Sequence, residues 1–333
     1  MLKTENGQSD LYGDLLESLI PMDNTYRRLL KLIDFSSLCK DLHDCYSKDK
    51  GADGYPIEQG FKCLFLQYFE NISDRRMEDY LRFNTATKYF CGFNLIEPTP
   101  DHSFLGKLRK RIGLEKLIEL FNKVVQQLED QNIVSNAFHF VDSTAITSKI
   151  SLWEEYDKAR AKEAPKRLCN ENIDKYAKDK DARIGCKGKN KFWFGYKRHQ
   201  RVDMSSGIIT DIKITPANVN DSKAAPEILP RQGMVIADKA YDTNTFREQL
   251  KARNLHDGVI KKNNRKDKNR DKDKWISSMR MPFEGLFGHA VKRTKYIGIA
   301  KVSFHQYFDA FTQNMKRLLK IQDKCAYLAI KIT

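Results

Sequence analysis

Phe138-His139-Phe140-Val141-Asp142-Ser143-Thr144 is an apolar, β-prone run that ends on a carboxylate. Burying part of an unpaired carboxylate is unfavourable unless a metal or a cation neutralises it. Taken alone, Asp142 is explained by a turn or a cap at a strand end. The sharper explanation, a metal ligand at the end of a core strand, requires further carboxylates from distant parts of the chain. Met234-Val235-Ile236-Ala237-Asp238 supplies the first: a short continuous apolar run of the buried-strand type, again ending on aspartate.

Between and after these runs the pattern alternates. Phe192 to Asp203 and Ile208 to Thr215 read as two strands joined by the Ser205-Ser206-Gly207 turn, hence a hairpin. A helix over 243–253 and a short strand, Gly258-Val259-Ile260, follow. Residues 261–274 carry eight bases, three acids and no apolar residue, the mark of a solvated loop that can also serve as an electrostatic arm on a polyanion. Met279 to Lys295 and Phe304 to Leu319 are helical by spacing. A hairpin followed by strand and helix alternation implies a mixed sheet flanked by helices, an α/β layer architecture. In such sheets ligands gather at strand ends. Pro282 suits the start of a helix, which would put Glu284 in its first turn as a third candidate acid.

Everything before about residue 135 is helical by pattern, including Leu11 to Ile20, Tyr26 to Tyr46, Ile57 to Phe69, and a helix after the Ser73 cap. Asp101 to Arg111 reads as a capped basic helix and Leu114 to Asp130 as its successor. Lys107, Arg109, Lys110 and Arg111 form a cluster that is either a solvated face or a contact with DNA phosphates.

The chain has 333 residues, 41% hydrophobic and 11% aromatic, enough for one sizeable core and a second domain. Its 59 Lys+Arg against 44 Asp+Glu give a formal net charge of +15, which favours a polyanionic partner, nucleic acid first. Seven scattered cysteines without zinc spacing read as reduced thiols of an intracellular protein. The N-terminus lacks the apolar core of a signal peptide, and no apolar stretch is long enough to cross a bilayer, so no membrane partner is expected.

Three carboxylates held together repel one another unless hard cations lie between them, and Mg²⁺ suits an all-oxygen set. Each acid alone has an ordinary explanation, and only the joint pattern points to a site. That order of Asp, Asp and Glu on a strand, a later strand and a helix resembles the DDE transposases of bacterial insertion sequences, specifically the IS5 branch of the IS4/IS5 group. The resemblance rests on Phe140-Val-Asp142-Ser-Thr, Phe194-Gly-Tyr-Lys-Arg-His with Ile214-Thr-Pro-Ala-Asn-Val-Asn-Asp221, Val235-Ile-Ala-Asp238-Lys-Ala-Tyr241-Asp, and Arg280-x3-Glu284. Pro100-Asp101-His102-Ser103 with the basic run after it extends the likeness to the helical region. The family's Y-x2-R-x3-E-x6-K signature is matched at Arg280 and Glu284. It is broken at Ser277, where the family has Tyr, and at Val291, with the base one position late at Lys292.

The resemblance implies an RNase H-like catalytic domain over 135–322, with a basic insertion at 151–190 and a basic loop at 261–274. A flexible arm (1–20) and an all-α, DNA-binding domain (21–134) would precede it, and a tail (323–333) would follow. It implies Asp142, Asp238 and Glu284 as catalytic metal ligands, Mg²⁺ as cofactor with Mn²⁺ able to substitute, and Arg280, Lys292 and Arg293 on backbone phosphates. The implied activity is cleavage at the ends of an insertion sequence and strand transfer into target DNA. A homodimer would act on paired ends, in the cytoplasm and associated with the nucleoid. A transposase-derived DNA-binding protein without catalysis and an RNase H-like nuclease are the alternatives.

Overall fold

The computed structural model describes residues 11–45, 54–150, 168–188, 190–325 and 329–333. The first ten residues of the expected arm, and 151–167 of the expected basic insertion, lie outside them. The chain divides into two units, 1–128 with 311–333, and 129–310.

The helical unit contains α1 (Leu11–Leu19), α2 (Thr25–Leu32), α3 (Phe35–Leu38), a 3-10 turn at Lys40–Cys45, α4 (Ile57–Phe69), α5 (Asp74–Phe83), α6 (Thr85–Cys91) and most of α7 (His102–Asp130). Side-chain caps start several of these helices: the Ser73 hydroxyl accepts from Arg76 N at 3.2 Å, and Asp101 Oδ1 accepts from Phe104 N at 3.1 Å. The α7 segment is two helices joined at Gly113, whose φ of 70° interrupts it where the sequence separates a basic helix from its successor. Phe35, Phe61, Phe65 and Phe90 are buried against one another, with Phe65 also meeting Phe311 edge-on at 5.6 Å. By packing, the sheet-bearing unit ends at 310, short of the expected catalytic boundary at 322, because Phe311 and the residues after it group with the helical unit. The expected tail is likewise bound there: Ile332 N donates to Leu32 O at 2.8 Å and Asp34 N to Ile332 O at 2.7 Å.

The second unit is built on one six-stranded sheet: β1 (Phe138–Thr147), β2 (Arg183–Lys187), β3 (Lys191–Asp203), β4 (Ile209–Pro216), β5 (Met234–Ala237) and β6 (His256–Val259). β1 is central. On one side it pairs antiparallel with β3, and on the other it runs parallel to β5, which runs parallel to β6. The outer edge of β3 pairs with β2 through its first residues and with β4 through the rest. The expected hairpin forms as read: Asp203 Oδ2 accepts from Ser206 N at 2.9 Å and Ser206 Oγ at 2.7 Å, while Gly207 takes φ +74°. Glycine is required at 195, where β1, β2 and β3 meet at φ +153° and an added Cβ would run into the Ile146 carbonyl.

β2 was not expected as a strand. Its five residues, Arg-Ile-Gly-Cys-Lys, are too polar and too short to stand out of a charged segment, and pairing with β3 supplies the missing support. The rest of the unit comprises α8 (Ile173–Tyr176), α9 (Asp221–Ala224), α10 (Asn244–Ala252), α11 (Arg270–Gly288) and the first part of α12 (Ile299–Lys324). One face of the sheet packs Val141, Val235, Ala237 and Val259 against Tyr241, Phe246 and Leu250. The other receives α11, whose Phe287 ring lies 4.9 Å from that of Phe140.

Three expectations about α11 are corrected. It starts at Arg270, capped by Asn269 Oδ1 on Lys272 N at 3.0 Å, so the basic loop ends earlier than residue 274. Pro282 lies inside it, and Glu284 stands near its C-terminal end and not in its first turn. Apolar spacing could not locate this start, because the first helical turn is made of charged residues held by a cap. The helix also stops at Gly288, so Lys292 and Arg293 are on an extended segment where Arg293 bridges Thr147.

Candidate active site

Parallel pairing of β1 with β5 aligns Val141 with Ala237, so the next residues, Asp142 in the middle of β1 and Asp238 just past the end of β5, stand side by side. The expectation that the first strand ends on its aspartate is corrected, because pairing with β3 carries β1 on to Thr147. Asp142 Oδ1 accepts from Ser143 N, and Asp238 Oδ1 caps the following 3-10 turn through Ala240 N, each at 2.7 Å. Asp238 therefore performs the ordinary cap role, whereas Asp142 stands inside a strand where no turn accounts for it; in both, the second oxygen has no hydrogen bond among the described residues. Burial pushes the Asp142 carboxyl up to about 6 against the hydrogen bond from Ser143 N, with the charge of Asp238 adding to the rise and Arg280 and Lys187 opposing it. Two facing carboxylates with an unmet need for positive charge fit a hard divalent cation.

Glu284 is not brought to that pair. Its Oε1 accepts from Arg280 Nη2 at 2.8 Å, one helical turn away, and its side chain is 54% exposed. Among the described residues, no three acids, histidines or cysteines converge to hold a metal. Arg280 is itself anchored, with its guanidinium 5.6 Å over the Phe140 ring.

A cleft of about 670 Å³ opens beside Asp238, lined by Lys261, Lys268, Arg270, Lys274 and Arg280 among others. The backbone just after Lys261, one of the lining residues, is held by Asp242, whose side chain is fully buried. Asp242 accepts from Lys262 N at 2.7 Å, from Arg247 Nε at 2.9 Å and from Arg265 Nε at 3.3 Å. Burial alone would raise this carboxyl, but the Lys262 N–H and the two guanidinium groups hold it at about 2. Sequence reading missed Asp242 as an anchor. The signal was present in Tyr241-Asp242 followed by the basic run, but an exposed acid would look the same.

The expected DNA-binding residues separate into two kinds. Lys107, Lys110 and Arg111 are exposed, as are Lys292 and Arg293. Arg109 is turned inward, pairing with Asp74 and donating to Gln67 Oε1 at 2.9 Å. It serves the helical unit's own packing.

Two histidines near the site are buried as neutral rings: His139, with Nε2 3.1 Å from Gln232 O, and His199, with Nε2 2.9 Å from Thr215 Oγ1. Burial pushes both down to about 4, from an unfolded value of about 6.5. The unfolded chain thus binds more protons between these values, and stability falls as pH drops through that window. Asp142, with its raised value, acts in the opposite sense. The two histidines outweigh it, so urea unfolding should show a net loss of roughly 2–3 kcal/mol between pH 7 and pH 5. Equal stability at the two pH values would contradict the neutral burial of these rings.

The sequence profile described as "Transposase domain (DUF772)" matches residues 14–111, and that described as "Transposase DDE domain" matches residues 140–318. The transposase for insertion sequence element IS1106 of Neisseria meningitidis serogroup B is 33% identical over 151 residues, which cover 42% of this chain and 52% of that protein. The chain thus spans about half the length of this curated relative. No solved structure matches. Residues 140–318 make up more than half of the chain and include Asp142, Asp238 and Glu284, and on that match the protein belongs to the DDE transposase family.

Proposed function

We propose that this protein is a DNA transposase of the IS5 type, which cuts at the ends of an insertion sequence and joins them to target DNA. The observation that carries the reading is the pair Asp142 and Asp238, set side by side by the parallel pairing of β1 with β5, within the part of the chain that matches the family. The sheet supports an RNase H-like fold, with an antiparallel hairpin on one side of the Asp142 strand and parallel strands on the other. Asp142 and Asp238 would hold Mg²⁺, or Mn²⁺ in its place, and Glu284 would complete the set on leaving its ion pair with Arg280. When bound, the cation supplies a Lewis acid that activates a water or a 3′-hydroxyl and stabilises the leaving oxygen. Arg280, once freed of Glu284, is placed to hold a backbone phosphate, and Lys292 and Arg293 extend that contact. Phosphate contacts of this kind orient DNA without reading its sequence. The helical unit would then recognise the terminal repeats, and a homodimer would pair two ends. No helix among the described residues is long and apolar enough to cross a membrane, and DNA as substrate favours a cytoplasmic, nucleoid-associated protein.

The test uses the full chain, Mg²⁺ and duplexes carrying the inverted repeats that flank its gene. Nicking at the repeat, with joining of pre-cleaved ends to a second duplex, is the expected result. Cutting without joining would identify a nuclease, and binding without cutting a transposase-derived DNA-binding protein.

Alanine at Lys107, Lys110 and Arg111 should flatten the dependence of log K on log salt by about 0.9 for each phosphate that is no longer neutralised. Alanine at Arg109 should instead lower the melting temperature, because its partners are inside the fold. An unchanged salt slope in the triple variant would remove this face from the DNA interface.

A further inference from the structure

Gln200 is fully buried, yet neither its Nε2 nor its Oε1 has a hydrogen-bond partner among the described residues. An amide in that condition destabilises the fold and calls for a specific explanation. Its position supplies one. In the antiparallel register of β1 with β3, Gln200 lies directly opposite Asp142. Directly opposed side chains stand on the same face, with Cβ atoms roughly 5 Å apart. The same face carries Phe140 and Thr144 on β1, two residues either side of Asp142, with Val202 and Arg198 opposite them. α11 covers it through Phe287, whose ring meets Phe140 and whose carbonyl accepts from Thr144 Oγ1 at 3.4 Å. On the other edge of β3, Gln200 is level with Ile212, whose carbonyl is taken by the Tyr307 hydroxyl at 2.7 Å. Arg198 spends its Nη1 on Asp309 and Gln306. Its Nε and Nη2 have no partner among the described residues, yet neither reaches the Gln200 amide, and the carboxylate of Asp142 is the functional group directly across from it.

We propose that Gln200 is a positioning residue of the Asp142 site: its side-chain oxygen accepts a hydrogen bond from a water in the hydration shell of the divalent cation that Asp142 and Asp238 hold. Mg²⁺ and Mn²⁺ retain waters when bound by two or three carboxylates, and such waters need acceptors on the protein side. The amide oxygen meets that need without adding a fourth negative charge to the site. The inference rests on the metal-binding reading of Asp142, and the experiment separates the two.

Mn²⁺ binding to the full chain is measured by titration calorimetry without DNA, alongside the thermal midpoint in chelator, for wild type, Gln200→Met, Gln200→Glu and Asp142→Ala. Gln200→Met removes an unsatisfied amide at similar volume, so its midpoint in chelator should rise by about 2–4 °C. Its Mn²⁺ affinity should nevertheless fall by about tenfold or more. Gln200→Glu, which keeps the oxygen acceptors, should retain Mn²⁺ binding within about threefold or better, even where its midpoint in chelator is lower. A purely structural glutamine would move stability and metal affinity together, so an unchanged Mn²⁺ affinity in Gln200→Met overturns the proposal. So does loss of binding in Gln200→Glu equal to that in Gln200→Met. If Asp142→Ala binds Mn²⁺ as wild type does, the metal site itself is refuted. If Asp142→Ala loses binding while Gln200→Met keeps it, only the role of Gln200 fails.

Discussion

Asp142→Asn is expected to reduce cleavage of end DNA by at least about 10³-fold while leaving binding of that DNA within a few-fold of wild type. The substitution is nearly isosteric and keeps an oxygen that can accept from Ser143 N, so the strand should hold its shape. What it removes is the negative charge that faces Asp238 and is already unfavourable without a cation, as the raised carboxyl value of Asp142 records. The variant should therefore melt in chelator at or above the wild-type temperature, which separates lost chemistry from lost folding. Glu284→Gln should also abolish strand cleavage with end binding nearly intact, since the carboxylate is tied to the fold only through its surface pair with Arg280 among the described residues. Single-turnover cleavage, gel-shift binding and thermal melting of the same preparations decide the matter. Wild-type cleavage in Mg²⁺ by either variant would refute its assignment as a ligand.

Asp309→Ala should be among the most destabilising single changes in the sheet unit. Arg198 is fully buried on β3, and its Nη1 donates to Asp309 Oδ2 at 2.6 Å and to Gln306 Oε1 at 3.2 Å, while Nε and Nη2 have no partner among the described residues. Burial lowers the guanidinium pKa, with Asp309 opposing that shift, yet an arginine stays charged in proteins. Removing Asp309 leaves a buried cation with one neutral acceptor, an effect of about 3–5 kcal/mol, or roughly 10 °C in melting temperature. Replacing both partners by apolar residues, Arg198→Met with Asp309→Leu, should recover most of that loss. A double-mutant cycle measures the coupling directly, and additive losses would show that the pair does not act as a unit. The same carboxylate also accepts from Val291 N at 3.4 Å, so the single variant should loosen the segment that carries Lys292 and Arg293 and weaken DNA binding in parallel.

Much of the architecture was legible from local pattern. The strand that carries Asp142, the hairpin with its Ser205-Ser206-Gly207 turn, the strand leading into Asp238 and the helix Ile57–Phe69 lie where apolar periodicity and turn chemistry put them, although the first strand continues past Asp142 to Thr147. Failures came where charge dominates composition. Arg183–Lys187 became a strand only through a neighbour, and α11 starts inside what reads as a solvated basic loop because Asn269 caps it. Among the basic residues, Lys110 and Arg109 look alike in sequence, but one is exposed and the other is paired with Asp74.

By itself, the sequence determined that two buried-type apolar runs lead into an aspartate and that a basic, mostly helical region precedes them, because strand and helix formation follow from residues a few positions apart. Only the tertiary structure decided that these two strands are parallel neighbours, that Gln200 stands across from Asp142, and that Glu284 is held by Arg280 one turn away. Strand register and the choice of charge partner are set by residues tens of positions apart, through packing and desolvation that no local pattern encodes.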